Sequence, residues 1–418
     1  MLDRKLLRKE PRRVAEAARA KNEKIDIEQW LETDSARRTL MLEIEELRKQ
    51  RNLFSKAVSA KKRSGENANA EVTQSREAGS RLSILESNLN EMDNRLYEME
   101  KNFPNIPDSD VPLGGEEKNI VLQTWGEIPE FDFQPRPHWE LMENVFQPEA
   151  AGRIAGSNFI LFRGWAAKLQ RTLISWMLDY HTETGMEEIW APFVAKPESM
   201  TATAQLPKMD DDMYRIGRDN LYLIPTGEVP ITNLYRDQLL EEADLPVRLC
   251  GYTPCFRREA GSYGKDNRGL NRVHQFEKVE MVRLEHPDRS DEAHEELLNH
   301  AAGMLKLLGI PYRVLLLASG DLSFAAAKCF DIEIWSAGQN KWLEVSSIAN
   351  FRDFQARRGN MKYRPAGGGK PLFVHTLNGS GLALPRLIIS LIENGQQADG
   401  SIKLPSALSE RMGTEVIR

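Results

Sequence analysis

Residues 256–282 read FRREAGSYGKDNRGLNRVHQFEKVEMV. The pattern predicts a strand, a glycine-studded loop and a second strand, with residues from His274 to Val282 alternating as one face buried and one face polar requires. Arg257, Arg258, Lys265, Arg268 and Arg272 bring five cations to this single hairpin. Guanidinium forks match phosphate oxygens, so the cluster points to a polyphosphate ligand. A solvated basic loop has the same composition, and the hairpin alone leaves both readings open.

Residues 376–394, TLNGSGLALPRLIISLIEN, continue the theme. They predict a strand ending near Leu377, a run of Asn378-Gly379-Ser380-Gly381, and a helix from about Pro385. Glycines permit close backbone approach to a ligand, and proline suits the first helical turn. Arg386 then stands at a helix start, where acidic side chains are normally favoured, which suggests an anion to be held. Further strand-like runs occur at 221–224, 279–284, 331–335 and 372–377 without regular helical crossovers. The expected fold is therefore α+β: an antiparallel sheet flanked by helices rather than a doubly wound one.

The N-terminal part differs in kind. Leu40, Ile44, Leu47, Phe54 and Val58 keep a heptad rhythm, with Arg51 at the intervening core-phase position. Ala78, Leu82, Leu85, Leu89, Met92, Leu96, Met99 and Phe103 continue it by steps of four and three. The polar break at 64–69 is too short to start a parallel partner, so the two segments form an antiparallel coiled-coil hairpin, an arm over about 37–103. Such a pattern serves dimerisation as readily as ligand binding. Charge separates the two: residues 37–63 carry nine Lys/Arg against three Glu, and residues 68–103 carry four against seven Asp/Glu. A basic outgoing helix with Arg48, Lys49, Lys56, Lys61, Lys62 and Arg63 suits a phosphate backbone. The proline- and glycine-rich stretch 102–115 ends the arm, giving an N-terminal domain over 1–110 and a second domain over 111–418.

Composition sets the remaining bounds. The 418 residues are 41% hydrophobic and 28% charged, as in a folded soluble protein, and the net charge is −6. No long apolar run appears and the N-terminus lacks a signal-peptide pattern, so the expected location is the cytoplasm, with no membrane partner. Cys250, Cys255 and Cys329 lack CxxC spacing, which argues against a disulfide framework or a structural zinc and leaves them as packing residues.

Together these stretches resemble class II aminoacyl-tRNA synthetases: residues 256–282 resemble motif 2, residues 376–394 motif 3, and the amphipathic segment 169–184 with Gly185 and a strand to Pro192 motif 1. The arm, Thr226-Gly227-Glu228, Glu344-Val345-Ser346-Ser347 and the NFRDFQARR run from Asn350 narrow the resemblance to the seryl-tRNA synthetase family over essentially the whole chain. The resemblance implies ATP and L-serine as substrates, tRNA(Ser) and tRNA(Sec) as partners, and a homodimer built through motif 1. It implies that Arg257 and Arg386 are the catalytic residues and that Arg258 also binds ATP: Arg257 holds the α-phosphate, Glu259 meets the adenine, and Phe276 and Arg386 sandwich that ring, Arg386 also reaching the γ-phosphate. Glu344, Val345, Ser346 and Ser347 match ATP-binding positions, of which Glu344 and Ser347 bind the Mg²⁺ that comes with ATP. Thr226, Gly227, Glu228, Glu280, Asn378 and Ser380 match serine-binding positions, with Glu280 on the ammonium group.

Two departures from the family pattern stand out. Leu384-Pro385 precede Arg386 where glycine is usual, and Asp108 replaces a frequent histidine. Two rival readings share the fold: a ligase loading a carrier protein, which has no use for the arm, and an inactive RNA-binding paralogue, in which the ATP and serine positions need not survive.

Overall fold

The computed structural model describes residues 1–260 and 268–418, so that Lys265 of the basic hairpin lies outside the described residues. Contacts divide the chain into two units, one of Leu2–Arg19 and Glu23–Phe103, the other of Met1, Ala20–Asn22 and Pro104–Arg418.

The first unit is dominated by α1 (Ile27–Ser64) and α2 (Asn69–Glu100), paired along their length. Ile44, Ala78, Leu82 and Leu96 are buried in the seam, and Leu40, Leu47, Phe54, Val58, Leu85, Leu89, Met92 and Met99 are partly buried beside them. Arg51 is exposed, because a charged side chain at a core-phase position swings its head to water. α1 ends at Gly65, whose φ of 75° is the left-handed cap that glycine takes without a Cβ penalty. The first long helix starts at Ile27, ahead of the heptad seam. Asp26 accounts for this by accepting the Gln29 N–H at 2.8 Å as N-cap. The fully buried Trp30 then donates its indole N–H to Glu100 at 3.0 Å. Arg4 reaches the same carboxylate at 2.7 Å, so the root of the arm is fastened by a buried polar cluster.

The second unit is built on a sheet of eight strands among the described residues: β1 (Ile120–Trp125), β2 (Glu187–Glu188), β3 (Val247–Phe256), β4 (Gln275–Glu285), β5 (Tyr312–Leu316), β6 (Lys328–Ser336), β7 (Lys341–Asn350) and β8 (His375–Ala383). Their order across the sheet is β1-β5-β6-β7-β8-β4-β3-β2, and every neighbouring pair is antiparallel except β2 with β3. The expected antiparallel sheet is present. α3 (Gly164–Glu183), α4 (Ser290–Leu307) and α5 (Leu384–Asn394) cover one face. Leu169, Leu173, Met177, Leu297, Leu305, Ile388 and Ile392 pack there on Met281, Ile332, Ile334 and Ile348. Side chains alternate along each strand, so burying Val279 and Met281 of β4, or Ile332 of β6, sends Lys278, Glu280 and Asp331 to the other face.

Two strand expectations need correction. Residues 372–377 are not one strand: Leu372–Phe373 belongs to a small three-stranded sheet and β8 begins at His375. Residues 378–381 are not a loop either, since β8 runs through them to Ala383 and α5 follows at once. Packing by itself requires both glycines. A Cβ on Gly379 would lie 2.9 Å from Ile348 Cγ1, and one on Gly381 would lie 2.3 Å from His181 Nε2. Pro385 falls in the first turn of α5, where no intrahelical N–H is needed, so the Leu384-Pro385 departure leaves the helix start intact.

Candidate active site

On the face opposite α3, α4 and α5 the sheet floors a cavity of about 530 Å³. Strand register brings its floor together from distant sequence. Glu280 of β4 lies opposite Ser380 of β8, Asn378 of β8 opposite Ala349 of β7, and Ser347 of β7 opposite Asp331 of β6. Thr226 and Glu228 join from the loop and short helix after residue 224, and Arg257 and Glu259 from the end of β3.

One end of the cavity is rich in carboxylates and deeply buried. Glu280, 1% exposed, accepts the Thr226 hydroxyl at 3.1 Å and the Asn378 amide at 3.2 Å. Lys278 forms an ion pair with Glu280 and donates to Thr226 Oγ1 at 2.9 Å. Glu228 accepts from Gln355 at 2.6 Å and from Gln205 at 3.2 Å. Burial, and then the nearby Glu280 charge, push the Glu228 carboxyl up to about 7 despite those two donors. Gln355 is fixed in turn by the Thr376 hydroxyl at 2.8 Å, and Gln205 by Thr203. Gly227 is required here, because a Cβ would come within 2.9 Å of Glu280 Cβ.

The other end is cationic and more open. Arg257 Nε donates to the Pro225 carbonyl at 3.2 Å, and its guanidinium lies 5.2 Å from the Phe276 ring centroid. Arg272 pairs with Glu259 at 2.9 Å. Arg386 donates to the Glu344 carbonyl at 2.7 Å and stands 3.3 Å from its carboxylate. Ser347 Oγ is 3.1 Å from Cys329 Sγ. Beside them Asp331 is held well above the usual carboxylate range by burial and by the charge of Glu344. The three cysteines are buried free thiols, and Cys329 also lines the cavity wall.

Thr226, Glu228, Arg257, Glu259, Phe276, Glu280, Glu344, Val345, Ser347, Asn378, Ser380 and Arg386 all line this one cavity. Arg258 does not: its side chain is exposed and donates to the Asp211 carbonyl at 3.0 Å, because adjacent residues leave an extended strand on opposite sides. Ser346 is turned away for the same reason, its hydroxyl donating to the Ser380 carbonyl at 2.6 Å. Gly227 contributes backbone behind the cavity. Sequence reasoning missed Lys278, Gln205 and Gln355. Lys278 was legible, since Phe276, Lys278 and Glu280 alternate onto one face of β4. Gln355 lies in the NFRDFQARR run from Asn350, but nothing local marks it as a partner of Glu228, and Gln205 comes from a remote segment with no signal of its own.

On the arm, Arg48 pairs with Glu86 at 2.6 Å and Lys61 with Glu71 at 2.5 Å. Lys49, Lys56, Lys62 and Arg63 are exposed along the same helix.

Comparison with known proteins accords with this geometry. Residues 1–107 match the seryl-tRNA synthetase N-terminal domain and residues 212–395 the tRNA synthetase class II core domain (G, H, P, S and T). The serine–tRNA ligase of Thermomicrobium roseum is 48% identical, over 99% of this chain and 94% of its own length. That of Nitratidesulfovibrio vulgaris is 46% identical, over 99% and 98%. Among solved structures, seryl-tRNA synthetase from Pyrococcus horikoshii complexed with ATP superposes with a TM-score of 0.93 at 32% identity, covering 100% of this chain and 99% of that one. The chain belongs to the seryl-tRNA synthetase family of class II aminoacyl-tRNA synthetases.

Proposed function

We propose that the chain is a serine–tRNA ligase that joins L-serine to ATP, releasing pyrophosphate and forming seryl-adenylate, and then passes the seryl group to tRNA(Ser). The observation that carries this reading is a single cavity with buried carboxylates at one end and arginines at the other. Serine's carboxylate is already ionised at neutral pH, so its attack on the α-phosphorus needs no general base. The work is positioning and neutralisation of charge on the phosphate, by Arg257 near the reacting phosphorus and by Arg386 further along the triphosphate. In this reading Phe276 and Arg386 hold the adenine from its two faces, and Glu259 meets its edge. In the second step the terminal ribose hydroxyl of the tRNA attacks the seryl carbonyl and AMP leaves.

Glu280, Thr226 and Glu228 receive the ammonium group, with Asn378 and Ser380 beside the serine side chain. An ammonium ion supplies the positive charge that lets Glu228 ionise. A pocket that hydrogen-bonds the hydroxyl rejects alanine, which leaves buried polar groups unpaired, and excludes threonine for lack of space. Mg²⁺ arriving with ATP is assigned to Glu344 and Ser347, and when bound it offsets phosphate charge. The donors fit such a hard cation: they are oxygens, and Asp331 beside Glu344 adds an acidic group that a cation would relieve.

The arm, with Arg48, Lys49, Lys56, Lys61, Lys62 and Arg63, is assigned to the tRNA backbone, making residues 1–110 the tRNA-binding domain and 111–418 the catalytic one. tRNA(Sec) is a second substrate under the same scheme. Trp190, 76% exposed in the motif 1 stretch that ends at Pro192, supplies apolar surface for a homodimer built through motif 1. Among the described residues no helix is long and apolar enough to cross a membrane, and the cytoplasm is the proposed location. The rival readings are disfavoured because a carrier-protein ligase needs no arm and an inactive paralogue needs no complete cavity.

The test is pyrophosphate exchange with each amino acid in turn. Exchange should depend on serine, and Arg257→Ala should lower it by about 100- to 1000-fold, as for removal of one preorganised charge-stabilising group. A folded protein exchanging with no amino acid returns the choice to the RNA-binding paralogue.

A further inference from the structure

The fully buried residues His138 and Glu393 have no part in the scheme above, yet they sit behind it. The Leu270 N–H donates to His138 Nε2 at 2.9 Å. Nε2 is therefore the unprotonated nitrogen and Nδ1 carries the hydrogen, which faces Glu393 Oε1 at 2.8 Å. The Glu393 carboxylate is saturated with donors: it also accepts the His138 N–H at 2.9 Å, the Gly338 N–H at 2.9 Å and the Ser336 hydroxyl. The imidazole is thus locked in ring orientation and tautomer, with one acceptor aimed at the returning arm of the basic hairpin.

That arm is shaped to receive it. Gly269 has φ +70°, and a Cβ there would lie 2.1 Å from His138 Nε2, so the backbone rests directly on the ring. Arg268 stacks 4.5 Å from the centroid of the neighbouring Trp139. Leu270, Asn271 and Arg272 then line the cavity, while Glu393 lies on α5, the helix whose first turn bears Arg386.

We propose that His138, fixed by Glu393, is a positioning residue that holds the returning arm of the basic hairpin against the cavity, setting Arg272 for the nucleotide. This rests on the assignment of the arginine end to ATP. Its distinctive consequence is that the Nε2 acceptor matters for ATP and not for serine.

Asparagine can imitate Nδ1 toward Glu393 but has nothing at Nε2, whereas glutamine can carry an oxygen to the Nε2 position. In serine-dependent pyrophosphate exchange by the full-length protein, His138→Asn should raise the ATP KM about tenfold, the scale of one unmet buried hydrogen bond, with the serine KM within about twofold. His138→Gln should restore most of the ATP KM. Gly269→Ala, which pushes the arm off the ring without touching the pair, should raise the ATP KM in the same sense. Unchanged ATP KM in both His138→Asn and Gly269→Ala overturns the proposal, as does an equal loss of kcat in Asn and Gln variants with both KM values intact, the mark of a purely structural pair. If both variants fail to fold, hydrogen exchange of the wild-type protein decides: a Leu270 amide exchanging as fast as an open loop overturns it, and strong protection before ATP is added supports it. Absence of serine-dependent exchange in the wild type would instead refute the functional reading itself.

Discussion

Arg48–Glu86 and Arg81–Glu43 join α1 to α2 at 2.6 Å each with every partner 43–65% exposed, whereas Lys278 and Glu280 pair at 7% and 1% exposure. The same side-chain chemistry serves opposite purposes because of water. An exposed pair contributes at most about 1 kcal/mol and gives up its partner cheaply, as the proposed role of the arm's cations on a phosphate backbone requires. A buried pair must stay satisfied, because a lone charge there costs several kcal/mol, and its geometry is therefore fixed before any ligand arrives. The arm is built to exchange partners and the carboxylate end of the cavity to keep them.

The strongest way to break this comparison is to excise residues 41–89 and close the gap with a short turn. The cut spares Arg37–Asp93 and the Trp30–Glu100 bond at the arm's root. Transfer to tRNA should fall by about 1000-fold or more, since several phosphate contacts go at once, while serine-dependent pyrophosphate exchange stays within about twofold. Collapse of exchange would mean that the arm supports folding of the catalytic unit.

Glu280→Gln comes next. It strands Lys278 in a buried site and leaves a single accepting oxygen where Thr226 and Asn378 each have one, so serine kcat/KM should drop roughly hundredfold, corresponding to about 3 kcal/mol. A drop of less than about threefold would show that the pocket readjusts as easily as the arm does.

Glu228 gives the comparison a pH axis. Its carboxyl titrates at about 7 in the folded protein against 4.5 for the ordinary group, so the folded state holds the extra proton between those values. The contribution to stability is fully present below pH 4.5 and is lost as pH rises through about 7. Glu228→Gln should flatten the decline of unfolding free energy across that window by on the order of 3 kcal/mol, measured by denaturant titration at several pH values. An unchanged slope would remove Glu228 from the buried network. The smallest effect belongs to the arm: Glu86→Gln should change stability by about 0.5 kcal/mol or less and leave the tRNA KM equal or lower at low salt. A clear loss of stability would show that the exposed pairs also hold the hairpin together.

Much of this was legible before any tertiary structure. The heptad seam from Leu40 to Met99 together with its short polar break at 64–69 specifies an antiparallel hairpin, and the alternation of β4 around Phe276 and Glu280 specifies a strand with one polar face. Most of the residues proposed for serine and ATP, singled out through their motifs, line one cavity. What sequence could not decide was which distant segments meet. Periodicity reports local backbone geometry, whereas cross-strand register and the satisfaction of buried polar atoms are properties of the assembled core. Hence β8 continues through 378–380 because it pairs there with β4 and β7, and Gly379 and Gly381 are glycines because they must clear Ile348 and His181, which no local pattern reveals. Arg258 turns outward because Arg257 turns in, and Gln355, Gln205 and the His138–Glu393 pair find their places only when the sheet and its helices close around them.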